Sequence, residues 1–315
     1  MAARAGFGYH ARASTEESRG MERVEAAVLG SRPSLARPKS VAARHDQHVW
    51  ETSADRTTSM LRDVTEAVQR WPLWIRLGWQ DVLLRYRRSL LGPFWLTLSM
   101  GIMIATLGRI YGGILHLPAD KYLPFLATGL IIWSLISSLV SEGCQTFIES
   151  DWLIRQVDLP LTIFPIRMVW RNLIVFCHHV VIYFLLLIYL HIPVRWTVLT
   201  SVVGVAALLM NGLWCGTLLG MLSARFRDMP QIVTSLLQVA FFATPIIWST
   251  EALTGDAFLW TLNPFYHLIE IVRAPLLGFR VPVQSWIAVA GMAAAGWIVT
   301  VVAFHRFHRR ISYWV

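Results

Sequence analysis

The amino-acid sequence predicts an all-α protein that crosses a membrane several times, and three observations support this fold class. Of its 315 residues, 55% are hydrophobic, and the mean hydropathy is +0.51. Only 15% are charged, against about 25% in a typical soluble domain. Six apolar stretches approach the ~20 residues that a helix needs to span a bilayer. Such a chain has too few polar side chains to cover its apolar surface in water.

The distribution of charge indicates a membrane surface and argues against nucleic acid as a partner. The formal net charge is +9, but the arginines lie in the N-terminal part and beside apolar segments, and the aromatic residues lie inside those segments. This distribution is typical of attraction to anionic lipid and of orientation in a membrane. The three cysteines, Cys144, Cys177 and Cys215, have no metal-binding spacing, so we expect packing residues and no metal site.

Residues 1–70 are predicted to be a disordered cytoplasmic tail. They are rich in Ala, Arg, Ser, Glu and Thr, they include Pro33 and Pro38, and they contain no long apolar run. They also lack the apolar core of a signal peptide. A short helix around Met60–Gln69 remains an option, and it would lead into the next element.

Residues 71–92 are predicted to form an amphipathic interface helix that lies on the membrane surface. Apolar side chains recur there at the spacing of one helical stripe, and they are Ile75, Trp79, Val82, Leu83, Tyr86 and Leu90. Gly92-Pro93 ends the helix, because proline has no N–H and disfavours the α conformation of the residue before it. The alternative, a surface helix of a soluble domain, is disfavoured by the apolar chain that follows.

Residues 93–315 are predicted to form a transmembrane domain of six helices. The apolar stretches that define them are Phe94–His116, Tyr122–Ser141, Phe164–Leu190, Trp196–Leu222, Gln231–Trp248 and Gln284–Phe304. Basic residues are concentrated in one set of connections, and by the positive-inside rule this set is cytoplasmic. It also contains both termini, which fits an even number of spans.

Five segments then occur in an order typical of one transporter family. They are RYRRSLLGPFWLTLS (85–99), SDWLIRQVDLP (150–160), FRDMPQIV with ATPIIWS (226–233 and 243–249), NPFYHLIEIVRAPLLG (263–278) and RISYWV (310–315). With these segments, residues 71–315 resemble the membrane subunit of ABC-2 class polysaccharide exporters, the permeases of O-antigen, capsule and teichoic-acid ABC transporters.

The resemblance implies an architecture and a set of partners. The segment after the fifth span would be a re-entrant pair of short helices near the outer face. Two permeases would form a homodimer in the bacterial inner membrane, pair with two copies of an ATPase and export a lipid-linked polysaccharide. The partner would bind ATP and magnesium, since this chain contains no G-x-x-x-x-G-K-[ST] motif for nucleotide phosphates. We therefore expect no catalytic residues and no cofactor in this chain.

Residues 149–159 would be the coupling helix that docks into the ATPase, by the same resemblance. Apolar and charged residues alternate there, and a short helix with apolar anchors and charged rims suits docking into a groove. The alternative is a solvated loop that only links two spans. The expected docking residues are Glu149, Asp151, Trp152, Leu153, Arg155 and Asp158.

Two further sets of residues are candidates for contact with the cargo. Arg85, Arg87 and Arg88 either hold the interface helix to lipid headgroups or guide a pyrophosphate-linked lipid head, because guanidinium groups match phosphate oxygens. Aromatic rings stack on sugars, although they also form interfacial belts. The aromatic candidates for a glycan path are Phe241, Phe242, Trp248, Trp260, Phe265 and Tyr266. Nearby, Glu270 and Arg273 have the i, i+3 spacing of an ion pair.

Two other functions remain open at this point. One keeps the ABC-2 fold but exports a small amphiphile, such as a drug or haem. The other is a membrane enzyme that transfers a glycosyl or acyl group, which would need paired carboxylates or a histidine-acid motif that the connections between the spans lack.

Overall fold

A computed structural model describes residues 60–87, 94–248 and 260–314, and within these ranges all regular structure is helical. This confirms the predicted all-α class. The helices, in chain order, are α1 (Met60–Gln69), α2 (Trp71–Tyr86), α3 (Phe94–Leu115), α4 (Ala119–Gln145), α5 (Asp151–Gln156), α6 (Ile163–Tyr189), α7 (Val198–Arg225), α8 (Met229–Ala243), α9 (Pro264–Leu276) and α10 (Val283–Trp314).

Five of these helices are long and apolar enough to cross a membrane, namely α3, α4, α6, α7 and α10. They coincide with five of the six predicted spans. The stretch predicted as the fifth span overlaps α8, which has only 15 residues and is therefore about 22 Å long. Residues 244–248 continue from α8 without helical structure.

The helix α1 confirms the option of a short helix at Met60–Gln69, so the boundary placed at residue 70 falls between two packed helices. Met60 and Ala67 are buried. Asp63, also buried, accepts hydrogen bonds from the Thr162 N–H at 2.9 Å, the Thr162 hydroxyl at 2.7 Å and the Leu161 N–H at 3.3 Å. Because the first N–H groups of a helix have no partner within it, Asp63 caps α6 from a distant part of the chain. The rest of the predicted tail, residues 1–59, lies outside the described residues.

The helix α4 is at the centre of the bundle and contacts α3, α6, α7, α8 and α9. Its closest approach is to α7, at Gly143 and Gly216. A Cβ added to Gly143 would lie 2.7 Å from the Cα of Gly216, so no larger residue fits without a shift of one helix. Small residues allow backbones to approach in this way inside membranes, where close packing replaces the hydrophobic effect.

One end of the bundle, the arginine-rich end, contains α2, α5 and the C-termini of α7 and α10. At the opposite end lie the connection from α3 to α4 and the connection from α6 to α7. Each contains a histidine in the left-handed conformation, His116 with φ of 54° and His191 with φ of 55°. Such a residue ends a helix and reverses the chain.

The described residues 244–248 and 260–276 lie in the half of the bundle at the opposite end. The Tyr122 hydroxyl, near the start of α4, donates to the Ile247 carbonyl at 3.0 Å. Further down, Phe265 packs against Trp133 at the middle of α4. The Thr197 hydroxyl then donates to the Pro275 carbonyl at 3.0 Å. The chain therefore reaches the start of α4 at residue 247, returns to mid-depth by residue 265, and rises again along α9.

Candidate functional site

The helix α2 packs along α6 through a face that the sequence pattern did not single out. A Cβ on Gly78 would lie 2.8 Å from the Trp170 side chain, and Trp74 packs edge-on against Trp170 with ring centroids 6.0 Å apart. Of the predicted apolar stripe, Val82 is buried, whereas Trp79 and Leu83 are each 49% exposed. The stripe thus lies partly in the packed face, and Trp79 and Leu83 remain available to lipid, as an interface helix requires.

A network of charged side chains joins α2, α4 and α6 at the arginine-rich end. On α2, Asp81 accepts from the Arg167 Nε at 2.7 Å and from a second nitrogen of the same guanidinium group. Arg171 donates to Glu142 at 2.7 and 3.1 Å and also reaches Asp81 at 3.4 Å. The carboxylate of Glu142 receives two nitrogens of Arg85, both at 3.1 Å. We name these five residues the charge network.

The three arginines predicted for the interface helix differ in their surroundings. Arg85 belongs to the charge network, so part of its hydrogen-bonding capacity is used within the chain. Arg87 is exposed at the end of α2. Arg88 lies outside the described residues, as do Leu90, Gly92 and Pro93. The described arginines thus allow for contact with a phosphate group, and Arg87 lies outside the charge network to which Arg85 belongs.

The predicted coupling segment forms a single short helix, α5, at the arginine-rich end. Its charged residues Asp151 and Arg155 pair with each other across one turn. Trp152 is 62% exposed, and Glu149 and Asp158 are exposed on either side of the helix. Leu153 instead packs inward with a second core cluster of α1, α7 and α10 residues. The helix thus presents Trp152 and charged residues outward, while Leu153 fixes it to the bundle.

The aromatic candidates form a cluster around Trp133, a residue that sequence reasoning missed. Phe241 and Phe265 lie with ring centroids 5.7 and 5.5 Å from that of Trp133. Phe242 packs edge-on against Phe241 and is otherwise 72% exposed. Trp133 sits in a continuous apolar run of α4, where no change in pattern marks it. Phe242 is therefore the member of this cluster that is exposed.

The two tryptophans of the aromatic set lie at the edges of the gap in the described residues. Trp248 donates from its indole nitrogen to the Phe242 carbonyl at 3.4 Å. Trp260 is half-buried. Trp248 thus lies just beyond the C-terminal end of α8, and Trp260 takes no part in the described ring contacts of the Trp133 cluster.

The predicted pair of Glu270 and Arg273 is confirmed, and its setting is more buried than a surface pair. The two side chains are joined at 2.8 Å, with exposed fractions of 17% and 5%. Arg273 also donates to the Pro245 carbonyl at 2.7 Å and lies over the Phe125 ring, 4.4 Å from its centroid. We name these contacts the Arg273 clasp, since they tie α9 to the non-helical segment 244–248 and to α4.

A cavity of about 720 Å³ opens beside the clasp at the opposite end of the bundle. Burial raises the pKa of the Tyr266 hydroxyl above its usual value, Glu270 adds to that rise and Arg273 opposes it. Tyr266 therefore remains a hydrogen-bond donor at neutral pH. The cavity combines charged and phenolic groups with apolar walls, and its polar residues include Asp120, Lys121, Arg195, Tyr266, Glu270 and Arg273.

The described residues contain no group of three or more His, Cys, Asp or Glu side chains arranged to hold a metal ion. What they offer is a short, largely exposed helix at one end, a charge network that links three helices, and an aromatic and polar lining toward the other end.

The sequence of this chain is similar to one protein family and to several known proteins. A family model described as "ABC-2 type transporter" matches residues 72–277. The O-antigen export system permease protein RfbA of Myxococcus xanthus is 27% identical over 230 residues, which cover 71% of this chain and 87% of that protein. Two proteins of the same name from Klebsiella pneumoniae are 23% identical over 194 residues and 21% identical over 234 residues. These two alignments cover 60% and 73% of this chain, and 74% and 88% of the relatives.

Proposed function

The chain belongs to the ABC-2 type transporter family, and we propose that it is the membrane subunit of an ATP-driven exporter of a lipid-linked cell-surface polysaccharide. The observation that carries this proposal is the similarity to three O-antigen export permeases, which extends over most of their length. A member of this family is a transport subunit and not itself an enzyme. The work of ATP binding and hydrolysis, with its magnesium, then falls to a separate ATPase.

The helix α5 is the proposed docking site for that ATPase. An exposed tryptophan on a short helix is the kind of anchor that fills a pocket on a partner. The charged residues Glu149, Asp151, Arg155 and Asp158 surround Trp152 and would set its orientation. Because Leu153 and Ile154 pack into the bundle, a push on α5 is passed on to α1, α7 and α10.

The charge network is a second set of contacts through which a displacement of α5 can be transmitted to the membrane domain. Arg171 lies within hydrogen-bond distance of both Asp81 and Glu142, and these belong to α2 and α4. When one of these helices moves slightly, Arg171 can therefore exchange one carboxylate partner for the other, and no charge is left unpaired. In the proposed mechanism, closure of the ATPase dimer moves α5, and α2, α4 and α6 follow through the network.

Two copies of the chain are proposed to enclose the conduit. Support comes from α3, in whose apolar stretch only 11% of the residues are buried within the chain. Large apolar side chains such as Phe94, Ile102 and Ile110 are exposed along it. A second copy that packs against α3 would cover this surface, and lipid would cover the remainder.

The fifth crossing is proposed to consist of α8 and the non-helical residues 244–248, followed by a re-entrant segment that rises through α9. The hydrogen bond from Tyr122 to Ile247 and the clasp from Arg273 to Pro245 support this arrangement. Non-helical backbone at membrane depth is tolerated where protein or a water-filled cavity surrounds it. With termini in the cytoplasm, the clasp and the large cavity face the exterior.

The proposed glycan path follows the aromatic set, with Phe242 and Tyr266 as the residues that meet sugar rings. Deletion of the gene tests the function. The proposal predicts that one long-chain surface polysaccharide disappears while its lipid-linked form accumulates inside the cell. Retention of every surface polysaccharide, together with loss of resistance to a small amphiphile, would instead support the alternative cargo.

A further inference from the structure

A second cavity, of about 430 Å³, lies between the C-terminal ends of α7 and α10. Both helices are long enough to cross a membrane, and their candidate spans end at Arg225 and His308. The cavity therefore lies at the level where two spans leave the apolar part of the bilayer, at the arginine-rich end. It is separate from the docking face of α5 and from α2, which packs on α6.

The part of the cavity nearest the C-terminal ends of the two helices is strongly basic. Arg225, Arg306 and Arg310 all line it, and no carboxylate does so among the residues that the structure describes. None of the three has an ion-pair partner within the described ranges. Three guanidinium groups at one cavity, without a neutralising partner there, favour an anionic occupant with several oxygen acceptors.

Aromatic rings hold the first of these arginines in place. The Arg225 guanidinium lies 5.3 Å from the centroid of the Phe226 ring and 5.2 Å from that of Trp314. The Arg227 side chain in turn donates to the Trp314 carbonyl at 3.2 Å. A guanidinium stacked on rings keeps its N–H edges free to donate, and less conformational entropy is lost when it binds an anion.

The part of the cavity farther from these C-terminal ends is apolar and is lined by residues of the same two membrane-crossing helices. Leu218 and Leu222 of α7 and Ala303 of α10 line it, and Leu222 is partly exposed. A soluble phosphate or an acidic peptide would use only the basic part. An amphiphile with a charged head and an apolar tail uses both parts at once.

We propose that this cavity binds the headgroup of one anionic phospholipid of the cytoplasmic leaflet, with the phosphate against Arg225, Arg306 and Arg310 and the upper acyl chain against Leu222. The site is distinct from the cargo path, because the charge network and the aromatic set lie on other helices. Trp314 also belongs to the apolar cluster on which Leu153 and Ile154 of α5 pack. A bound lipid therefore steadies the base of α5.

The test uses the full-length permease, purified with its ATPase and stripped of lipid by detergent exchange. Native mass spectrometry then follows the binding of phosphatidylglycerol and of phosphatidylcholine. The variant R306Q/R310Q is compared with R62Q/R76Q, which removes the same charge from exposed arginines of α1 and α2. We expect phosphatidylglycerol to bind roughly a hundredfold more weakly to the first variant, since each hydrogen bond from a guanidinium group to the phosphate contributes about tenfold. The second variant should bind it as the wild type does.

Three outcomes would overturn the proposal. In the first, the two variants lose affinity equally, which would mean diffuse attraction to lipid. In the second, millimolar inorganic phosphate displaces phosphatidylglycerol, which would mean a phosphate site. In the third, binding occurs only after the ATPase is removed, which would mean an ATPase contact. Should R306Q/R310Q fail to fold, R225K replaces it, because it retains the charge but loses the planar group that stacks on Trp314. An unchanged affinity in R225K would equally reject the site.

Discussion

The Arg273 clasp and the charge network use the same chemistry in opposite ways. At the clasp, one arginine and one glutamate are almost enclosed, and the arginine is fixed by a backbone carbonyl and an aromatic ring. In the charge network, five side chains from three helices share partners, and Arg85 is 46% exposed. The clasp has a single set of contacts, whereas the charge network has several alternative pairings of similar geometry.

The difference indicates which end of the molecule can move. Breaking the clasp leaves a buried charge without compensation, and this is far more costly than loss of an exposed pair. Breaking one contact of the network leaves each member with another partner or with water. We infer that the clasp holds the half of the bundle that contains α9, while the arginine-rich end accommodates the shifts that an ATPase imposes.

The largest expected effect is loss of the clasp. The substitution Arg273→Met should lower the free energy of unfolding by about 3–5 kcal/mol, because Glu270 and the Pro245 carbonyl remain buried without their donor. Titration of the purified protein with a denaturing detergent measures this. As a control, Arg280→Met alters an exposed arginine nearby and should leave the midpoint unchanged. The double variant Arg273→Met/Glu270→Leu should regain part of the loss, and failure to do so would show that the ion pair is not what the first variant removes.

A smaller effect is expected in the charge network. The substitution Glu142→Gln weakens contacts to Arg85, Arg171 and Asn172 and should cost about 2 kcal/mol, since hydrogen bonds to charged groups contribute roughly 1.5–3 kcal/mol. Asp120→Asn, an exposed carboxylate at the other end, is the matched control in the same titration. Were Glu142→Gln as damaging as Arg273→Met, the contrast between the two regions would be wrong.

The next prediction separates the two roles of the interface arginines. Because Arg85 is half exposed, Arg85→Gln should cost less than about 1 kcal/mol, and Arg87→Gln should have no measurable effect on stability. If the arginines guide a phosphate-linked lipid head, export should fall more in Arg87→Gln than in Arg85→Gln, since Arg85 is already engaged by Glu142 and Arg87 lies outside the charge network. Equal export in both variants and the wild type would leave them as membrane anchors only.

The smallest effect on stability is expected at Phe242. Both Phe242 and Val239 are exposed on α8, at 72% and 68%, so alanine at either site should change stability by no more than about 0.5 kcal/mol. Phe242→Ala should nevertheless lower the export of long polymer, and Val239→Ala should not. If Phe242→Ala exports polymer normally, this residue does not line the glycan path. If the variant exports only a small amphiphile at the normal rate, the alternative cargo is favoured.

The sequence predicted the elements whose signals are local. Long apolar runs located α3, α4, α6, α7 and α10. The i, i+3 spacing also predicted the pair of Glu270 and Arg273, because both partners lie on one helix. These features depend on neighbours that are close along the chain.

Features that join distant segments were not predictable in this way. The cap that Asp63 supplies to α6 links residues about a hundred positions apart, and no pattern in either segment signals it. Trp133 lies in a uniform apolar run, and only packing shows that Phe241 and Phe265 meet it. The face of α2 that packs was missed for a similar reason: hydrophobic periodicity marks apolar stripes, whereas the contact uses Gly78, Asp81 and one edge of Trp74.

Docking of the ATPase through α5 is the central claim, and a matched pair of tryptophans tests it most directly. Trp152 is 62% exposed on α5, and Trp196 is 89% exposed at the other end of the bundle. The measurement is ATP-dependent export of polysaccharide, with co-purification of the ATPase, in cells that carry Trp152→Ala or Trp196→Ala. The account predicts that Trp152→Ala reduces both co-purification and export at normal permease abundance, and that Trp196→Ala reduces neither. Full binding and full export with Trp152→Ala would contradict it.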